Sequence, residues 1–516
     1  MSEIELKFVL DEAGAAALKT RLKELGLTQG PLRPRALRSV YHDTPDHALA
    51  RAGMAVRLRK DGRRWLQTVK ARASLAGGLS RVEEIESPAP GGRLDLAAFP
   101  DATRAGIAAA IGERPLAPVF ETEMKRASLD LPLPGGGSAE LALDEGTIRA
   151  AAHEAAFREA ELELRDGELA ALYELAAQLF PEGGLHLSTR SKAARGYLLA
   201  TKGRIDDPPV PRKARAVPLA PEQSAETAAR DVLRESVAQV AANIRAVLES
   251  DEPEGPHQLR VGLRRLRSAL TVFAEVTRGP EAARLNAEAR WLGQETGHLR
   301  DLDVLIHEIV EPDAAAHPDE PGFGVLHGAL DARRADLRDA LRTTLRQARA
   351  QRLQLDLARF VEARGWLAPQ DYDQTARLAQ PVADLAVRAL DARWKAVTKR
   401  ARGIADLPVP ARHELRKRLK KLRYATEFLS DLYPQKRVRP FVKQLRALQQ
   451  VFGDLNDAAM AEAQLAAGPA RPAAADPDAQ RAVGLLIGTR RARADDTWPG
   501  AQALWHDLKK TGPFWR

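Results

Sequence analysis

Glu3-Ile4-Glu5-Leu6-Lys7-Phe8 decides how this chain folds. Read as a β-strand, it sends successive side chains to opposite faces. Glu3, Glu5 and Lys7 then share one face, and Ile4, Leu6 and Phe8 share the other. Two carboxylates and an amine are poor material for a core. They suit a wet cavity that holds a metal ion and an anion.

The pattern returns along the first 200 residues. Glu159, Glu161, Glu163 and Arg165 alternate with Ala160, Leu162 and Leu164. Arg57 and Arg59 share a face, and the Asp61-Gly62 that follows is a hairpin signal. Leu66, Thr68 and Lys70 alternate with Gln67 and Val69. Arg126, Ser128 and Asp130 alternate with Ala127 and Leu129, and Glu140, Ala142 and Asp144 with Leu141 and Leu143. A half-buried sheet with its charged face in water accounts for any one of these strands. It does not account for acidic pairs at 3/5 and 161/163 while basic pairs sit elsewhere. A closed barrel with a charged lumen does, and its apolar outer face then needs helices, for which about 12–25, 93–111 and 167–180 are the Ala/Leu-rich candidates.

These residues resemble the CYTH family, the triphosphate tunnel metalloenzymes. Its opening Glu-x-Glu-x-Lys is matched by Glu3, Glu5 and Lys7, its Arg-x-Arg strand by Arg57 and Arg59, and its tunnel lysine by Lys70. A later arginine is matched by Arg126, with Lys125 the alternative. An acidic residue is matched by Asp144 and a Glu-x-Glu-Leu strand by Glu161 and Glu163, which Glu159 extends. The closing Ser-Lys-x-x-Arg-Gly-Tyr is matched by Ser191, Lys192, Arg195, Gly196 and Tyr197. Arg81 is a further lumen candidate. The resemblance covers about residues 1–203. It implies that Glu3, Glu5, Asp144, Glu161 and Glu163 hold metal, and that Lys7, Arg57, Arg59, Lys70, Arg126 and Lys192 hold phosphates. Glu3, Glu5, Lys7 and Lys70 are then the catalytic set. The chemistry agrees: hard oxygen ligands suit Mg²⁺ or Mn²⁺, and a polyanion needs several cations and a divalent metal to be bound and cleaved.

A chain of 516 residues is too long for a single core. Cysteine is absent, which excludes disulfides and thiolate metal sites. No apolar run is long enough to span a bilayer, and the charged opening strand argues against a signal peptide. A cytoplasmic protein without a membrane partner is expected. The net charge of +9 and pI near 9.7 call for an anionic partner.

Residues 204–219 are rich in proline and lack a hydrophobic period, the mark of a stiff linker. Beyond them strand signals stop. Ala/Leu/Arg/Glu segments with helical spacing follow, broken by Pro-rich stretches near 311–321 and 468–477. This half repeats itself. The run from His257 through Arg260, Arg264 and Arg267 recurs as His413, Arg416, Lys420 and Arg423, an offset of 156 residues, and Arg290, Leu292, Gly297, Leu299 and Asp301 recur in the same register as Arg446, Leu448, Gly453, Leu455 and Asp457. On a helix each run forms one basic face backed by leucines. Such a stripe repels itself, and makes sense if an anion lies along it.

The repeated stripe and the Leu-Arg-Asp-Leu-Asp run at 299–303 resemble the CHAD domain, the conserved-histidine α-helical domain. The resemblance implies two helical bundles related by a pseudo-repeat and a basic cavity for inorganic polyphosphate, lined by His257, Arg260, Arg264, Arg267, His413, Arg416, Lys420 and Arg423. The expected organisation is therefore multidomain. An α+β barrel tunnel with flanking helices spans 1–203, the linker 204–219, and duplicated all-α bundles 220–365 and 366–516. The expected activity is metal-dependent hydrolysis of inorganic triphosphate to diphosphate and phosphate, with polyphosphate held by the helical half. Thiamine triphosphatase or adenylate cyclase activity on the same fold, and non-catalytic polyphosphate or granule binding, are the alternatives. Few aromatics are available near the basic helices to stack on bases, which disfavours nucleic acid.

Overall fold

The computed structural model describes residues 2–28, 32–184, 186–467 and 476–516, so the Pro-rich break near 468–477 lies mostly outside the described residues. The chain forms two compact units. The first comprises Met1–Pro208 with Arg346–Ala363, the second Pro209–Leu345 with Arg364–Arg516.

The first unit is built on eight antiparallel strands: β1 (Ser2–Val9), β2 (Arg35–Asp43), β3 (Ala55–Asp61), β4 (Arg64–Ala76), β5 (Leu79–Pro88), β6 (Ala117–Pro132), β7 (Ser138–Ala150) and β8 (His153–Asp166). Their order is β5-β4-β3-β2-β6-β7-β8-β1, and β1 also pairs with β5, which closes the barrel. A short β9 (His186–Leu187) adds to β1. Alternation in sequence becomes inside and outside in space. Register pairs Glu5 with Glu163 and Lys7 with Glu161, Arg126 with Asp144, and Asp144 with Glu159, so these side chains share the bore. On the opposite face Leu6, Phe8, Leu141 and Leu162 are buried outside it, against α1 (Glu12–Glu24) and α4 (Leu169–Leu179). On another flank α2 (Ala48–Arg51) and α3 (Asp101–Ile111) cover Val56 and Val69. The helix expected over 93–111 thus begins only at Asp101, after Pro100.

The bore is not charged throughout. Tyr41, Phe120, Met124, Ile148 and Phe157 lie on lumen positions and form an apolar cluster with Leu199 of α5 (Lys192–Lys202). This helix packs on β6, β7 and β8 and plugs one end. Its approach depends on Gly196, where a Cβ would sit 2.1 Å from Phe120. Gly196→Ala is expected to cost about 1–3 kcal/mol through overpacking, read as a lower unfolding temperature. An unchanged midpoint would mean that the plug is loose.

The second unit is all helical: α6 (Ala225–Glu249), α7 (Glu254–Val272), α8 (Ala274–Thr277), α9 (Pro280–Val304), α10 (Glu311–Ala316), α11 (Gly322–Arg346), α13 (Tyr372–Ala379), α14 (Val382–Arg400), α15 (Val409–Leu429), α16 (Gln435–Ala467) and α17 (Pro477–Thr511). Shifting α6, α7, α9 and α11 by 156 residues lands their first residues within one position of those of α14, α15, α16 and α17. The duplication is therefore structural as well as sequential. Leu259, Leu263 and Leu266 of α7 and Leu415, Leu419 and Leu422 of α15 are buried, and these two helices pack on each other. Between the copies lies α12 (Ala348–Glu362), which clusters with the barrel although the sequence reading puts it in the first helical bundle.

Candidate functional site: a charged barrel lumen and a basic helical cluster

Strand parity aims the functional side chains of the barrel, α5 adds Lys192 and Arg195, and the bore interleaves the two signs of charge. Near the plug, Asp144, Glu159 and Glu161 are buried and bring one carboxylate oxygen each within 4.8 Å of one another. Lys192, the first residue of α5, sits among them, 2.6 Å from Asp144 and 3.0 Å from Glu161 and also paired with Glu159. Arg126 Nη2 lies 2.6 Å from both Asp144 and Glu161. Lys7 pairs with Glu161 and lies 2.6 Å from Glu5. Arg195 closes the group 3.1 Å from Glu159.

Burial disfavours all these charges, and the balance differs from group to group. At Glu161 the cations Lys192, Lys7 and Arg126 outweigh burial and hold the carboxyl well below its ordinary range. At Asp144 Lys192 and Arg126 do the same. At Glu159 burial wins and the carboxyl is pushed up. Lys7 is raised because Glu161 and Glu5 outweigh its burial.

A second group lies along the bore. Lys70 Nζ is 2.9 Å from Glu3 and 2.5 Å from Glu84, and Arg57 is 2.8 Å from Glu84. Glu3 is raised to about 7, first by burial and then by the neighbouring carboxylates against the pull of Lys70. Glu84 goes the other way, since Arg57 and Lys70 overcome its burial. Arg59 donates to Ser39 at 3.2 Å. Burial, with Arg57 and Arg126 beside it, pulls its guanidinium down to about 10 against the opposing pull of Tyr41 and Glu84. Glu163 sits at a more open position, 2.5 Å from Arg165.

In the helical unit the two basic stripes converge. Lys420 of α15 is influenced by Arg264 and Arg260 of α7 and by Arg416 and Arg423 of its own helix. Burial first, and then these cations, pull its ammonium down to about 7. Burial lowers His257 and His413, aided by Arg300 and Lys417 respectively. Arg267 is lowered by burial and by Arg290 and Arg264. Acids meet the stripes at their edges: Asp301 is 2.5 Å from Arg260, and Glu427, one turn beyond Arg423 on α15, is 3.4 Å from Arg423 and 2.9 Å from Arg265. The side chain of Asp457, the repeat mate of Asp301, lies outside the described residues.

The CYTH domain model matches residues 1–197, and the CHAD domain model matches residues 231–466. The chain is a CYTH–CHAD protein. Its first 40% is covered by a match at 28% identity over 214 residues to the inorganic triphosphatase of Haemophilus influenzae, and that match spans only 57% of the relative's length. An uncharacterized protein of Mycobacterium tuberculosis is 28% identical over 491 residues, covering 90% of this chain and 88% of that protein. The crystal structure of the CHAD domain from the plant Ricinus communis is 29% identical, with a TM-score of 0.49, and covers 58% of this chain and 96% of that one. Among the described residues, no helix of this CYTH–CHAD protein is long and apolar enough to cross a membrane.

Within the CYTH tunnel, Arg126 rather than Lys125 faces the bore, because Arg126 shares the parity of Asp144. Arg81 does not line it. Arg81 pairs in register with Ile4 and points outward, a correction that follows from strand parity. Glu84 escaped the sequence reading. Its signal, the alternation of Glu84 and Glu86 with Ile85, is blurred by the adjacent Glu83, which faces out to Arg72.

Proposed function

We propose that the CYTH tunnel hydrolyses inorganic triphosphate to diphosphate and phosphate with a divalent metal ion, and that the CHAD unit binds inorganic polyphosphate. The observation that carries this reading is the interleaving of carboxylates and cations in one buried bore. Carboxylates alone would repel a polyphosphate. Cations alone would leave no place for a metal. Here the bore carboxylates already have cations, so if a metal and a triphosphate bound together, the carboxylates would hold the metal and the cations the phosphates, with no charge stranded. All-oxygen donors suit Mg²⁺ or Mn²⁺, with Asp144, Glu159 and Glu161 the nearest set and Glu3, Glu5 and Glu163 further along. Such an ion supplies Lewis-acid polarisation of phosphoryl oxygens and of water.

The residues themselves position and neutralise. Lys7, Lys192 and Arg126 are released from Glu161 and Asp144 to hold phosphoryl oxygens, and Arg57, Arg59 and Lys70 hold the rest of the chain. Arg presents a planar fork and Lys a point charge. The charge that develops on the leaving diphosphate meets cations held close by within the bore.

The test is phosphate release from inorganic triphosphate, ATP and thiamine triphosphate, side by side, with Mg²⁺, with Mn²⁺ and with chelator. Rapid release from inorganic triphosphate alone is expected, lost in chelator and collapsed in Glu5→Gln and Lys70→Ala. Unchanged turnover in both variants sinks the reading.

A further inference from the structure

The duplication of the helical unit breaks after α11. In the second copy α17 runs unbroken from Pro477 to Thr511. In the first, the equivalent stretch is interrupted at Gln347, whose backbone is extended (φ −69°, ψ 151°), and resumes as α12. The residues after the break belong to the barrel unit. Leu355 and Ala358 of α12 are buried in the same apolar cluster as Leu6, Phe8, Leu172 and Leu175. Arg359 lies 3.2 Å from Glu174 of α4.

The other contacts of α12 fall on the seam that closes the barrel. There β1 pairs Ser2–Leu6 with Leu79–Glu83 of β5, and this seam carries Glu3 and Glu5. Glu362 of α12, almost wholly buried, lies 3.3 Å from Arg81 on the outer face of β5. Gly77, in the turn between β4 and β5, lies against α12, so that a Cβ added there would stand 3.2 Å from that of Ala358. The next residue, Gly78, accepts a hydrogen bond from the backbone N–H of Lys7 at 2.9 Å. A continuous set of contacts therefore runs from α12 through the turn to the backbone of a tunnel lysine.

We propose that α12 is a positioning element of the tunnel. Ala358 and Glu362 fix the β1–β5 seam and with it Glu5 and Lys7, so the triphosphate site is completed by a segment drawn from the sequence of the helical half. The proposal rests on the triphosphate reading for its ligand. Because α11 and α13, on either side in sequence, belong to the helical unit, the seam is tied to chain outside the barrel.

The test is calorimetric binding of imidotriphosphate, a hydrolysis-resistant analogue of inorganic triphosphate, with Mg²⁺ to the full chain and to its Arg81→Ala, Glu362→Ala and double variants, alongside thermal unfolding. Each single change is expected to weaken binding roughly fivefold, the double no more than either single, and Glu362→Gln to recover most of the loss. Where removal of a buried charge compromises folding, Ala358→Leu, which wedges the turn, gives the same readout. Lowered melting with unchanged affinity means a structural role alone and overturns the proposal, as does full additivity. Failure of the wild-type chain to bind the analogue overturns both readings. Wild-type binding with unaffected variants overturns this one only.

Discussion

Glu161→Gln should remove most triphosphate hydrolysis, lowering kcat/KM by about 10²–10³-fold. Glu161 is the hub of the bore: Lys7, Lys192 and Arg126 all contact it. Glutamine keeps the shape but replaces one acceptor oxygen with a donor, and it removes the charge that aligns three cations and would hold a metal. The fold should survive, because each cation keeps another carboxylate: Lys7 has Glu5, while Lys192 and Arg126 have Asp144. The loss should therefore appear in turnover and in the Mg²⁺ concentration required, measured by initial rates across a metal titration, with little change in melting. Glu163→Gln is the contrast. Its side chain is more exposed and leans on Arg165, so a loss of about tenfold or less is expected. Activity of Glu161→Gln within a few-fold of wild type would move the metal away from Asp144, Glu159 and Glu161.

Much of this site is legible in the sequence because a strand has a period of two. Alternation alone separates Glu3, Glu5 and Lys7 from Ile4, Leu6 and Phe8, and the register then brings residues 5 and 163 or 126 and 144 together. The period fails where both parities carry similar chemistry. Glu83, Glu84 and Glu86 cannot be sorted without knowing which face β5 turns to β1. Arg81 appears suitable for a lumen only until Ile4 is placed beside it. The apolar plug is hidden for the opposite reason: Tyr41, Phe120 and Phe157 occupy lumen positions but read as core. In the helical half, periodicity and the 156-residue offset locate the basic stripes. They do not say where a helix docks. Residues 348–362 carry an ordinary amphipathic pattern, and only tertiary packing sends them to the barrel.

The same limit explains why charge runs in the two halves mean different things. In the barrel Lys7, Arg57, Lys70, Arg126 and Lys192 are each balanced by a carboxylate at close range, so the charge there sits in exchangeable pairs. In the helical unit the balance is incomplete. Asp301 and Glu427 answer Arg260 and Arg423, while Lys420 is left among cations, its ammonium depressed. Exchange suits a reaction that must release its product, and uncompensated charge suits retention of a long polyanion.

Changing Lys420 and Arg264 together to glutamate should weaken binding of long-chain polyphosphate by roughly 10²-fold at low salt, and should flatten the dependence of log affinity on log salt. Both residues sit where α7 and α15 meet, and both stripes contribute to the field there. The wild-type response to pH gives a second, independent readout. Lys420 titrates at about 7, so it is charged below that pH and largely neutral above it. A polyanion binds the charged form. Affinity should therefore rise as pH falls from about 8 to 6, and binding near neutral pH should take up a proton, visible as a dependence of the calorimetric heat on buffer ionisation enthalpy. Burial keeps His257 and His413 below the usual histidine value, so their charging belongs to the acid end. Lys420→Met should remove the proton uptake while leaving the salt dependence nearly intact. Polyphosphate affinity that ignores both the double reversal and pH would take the ligand off these stripes altogether.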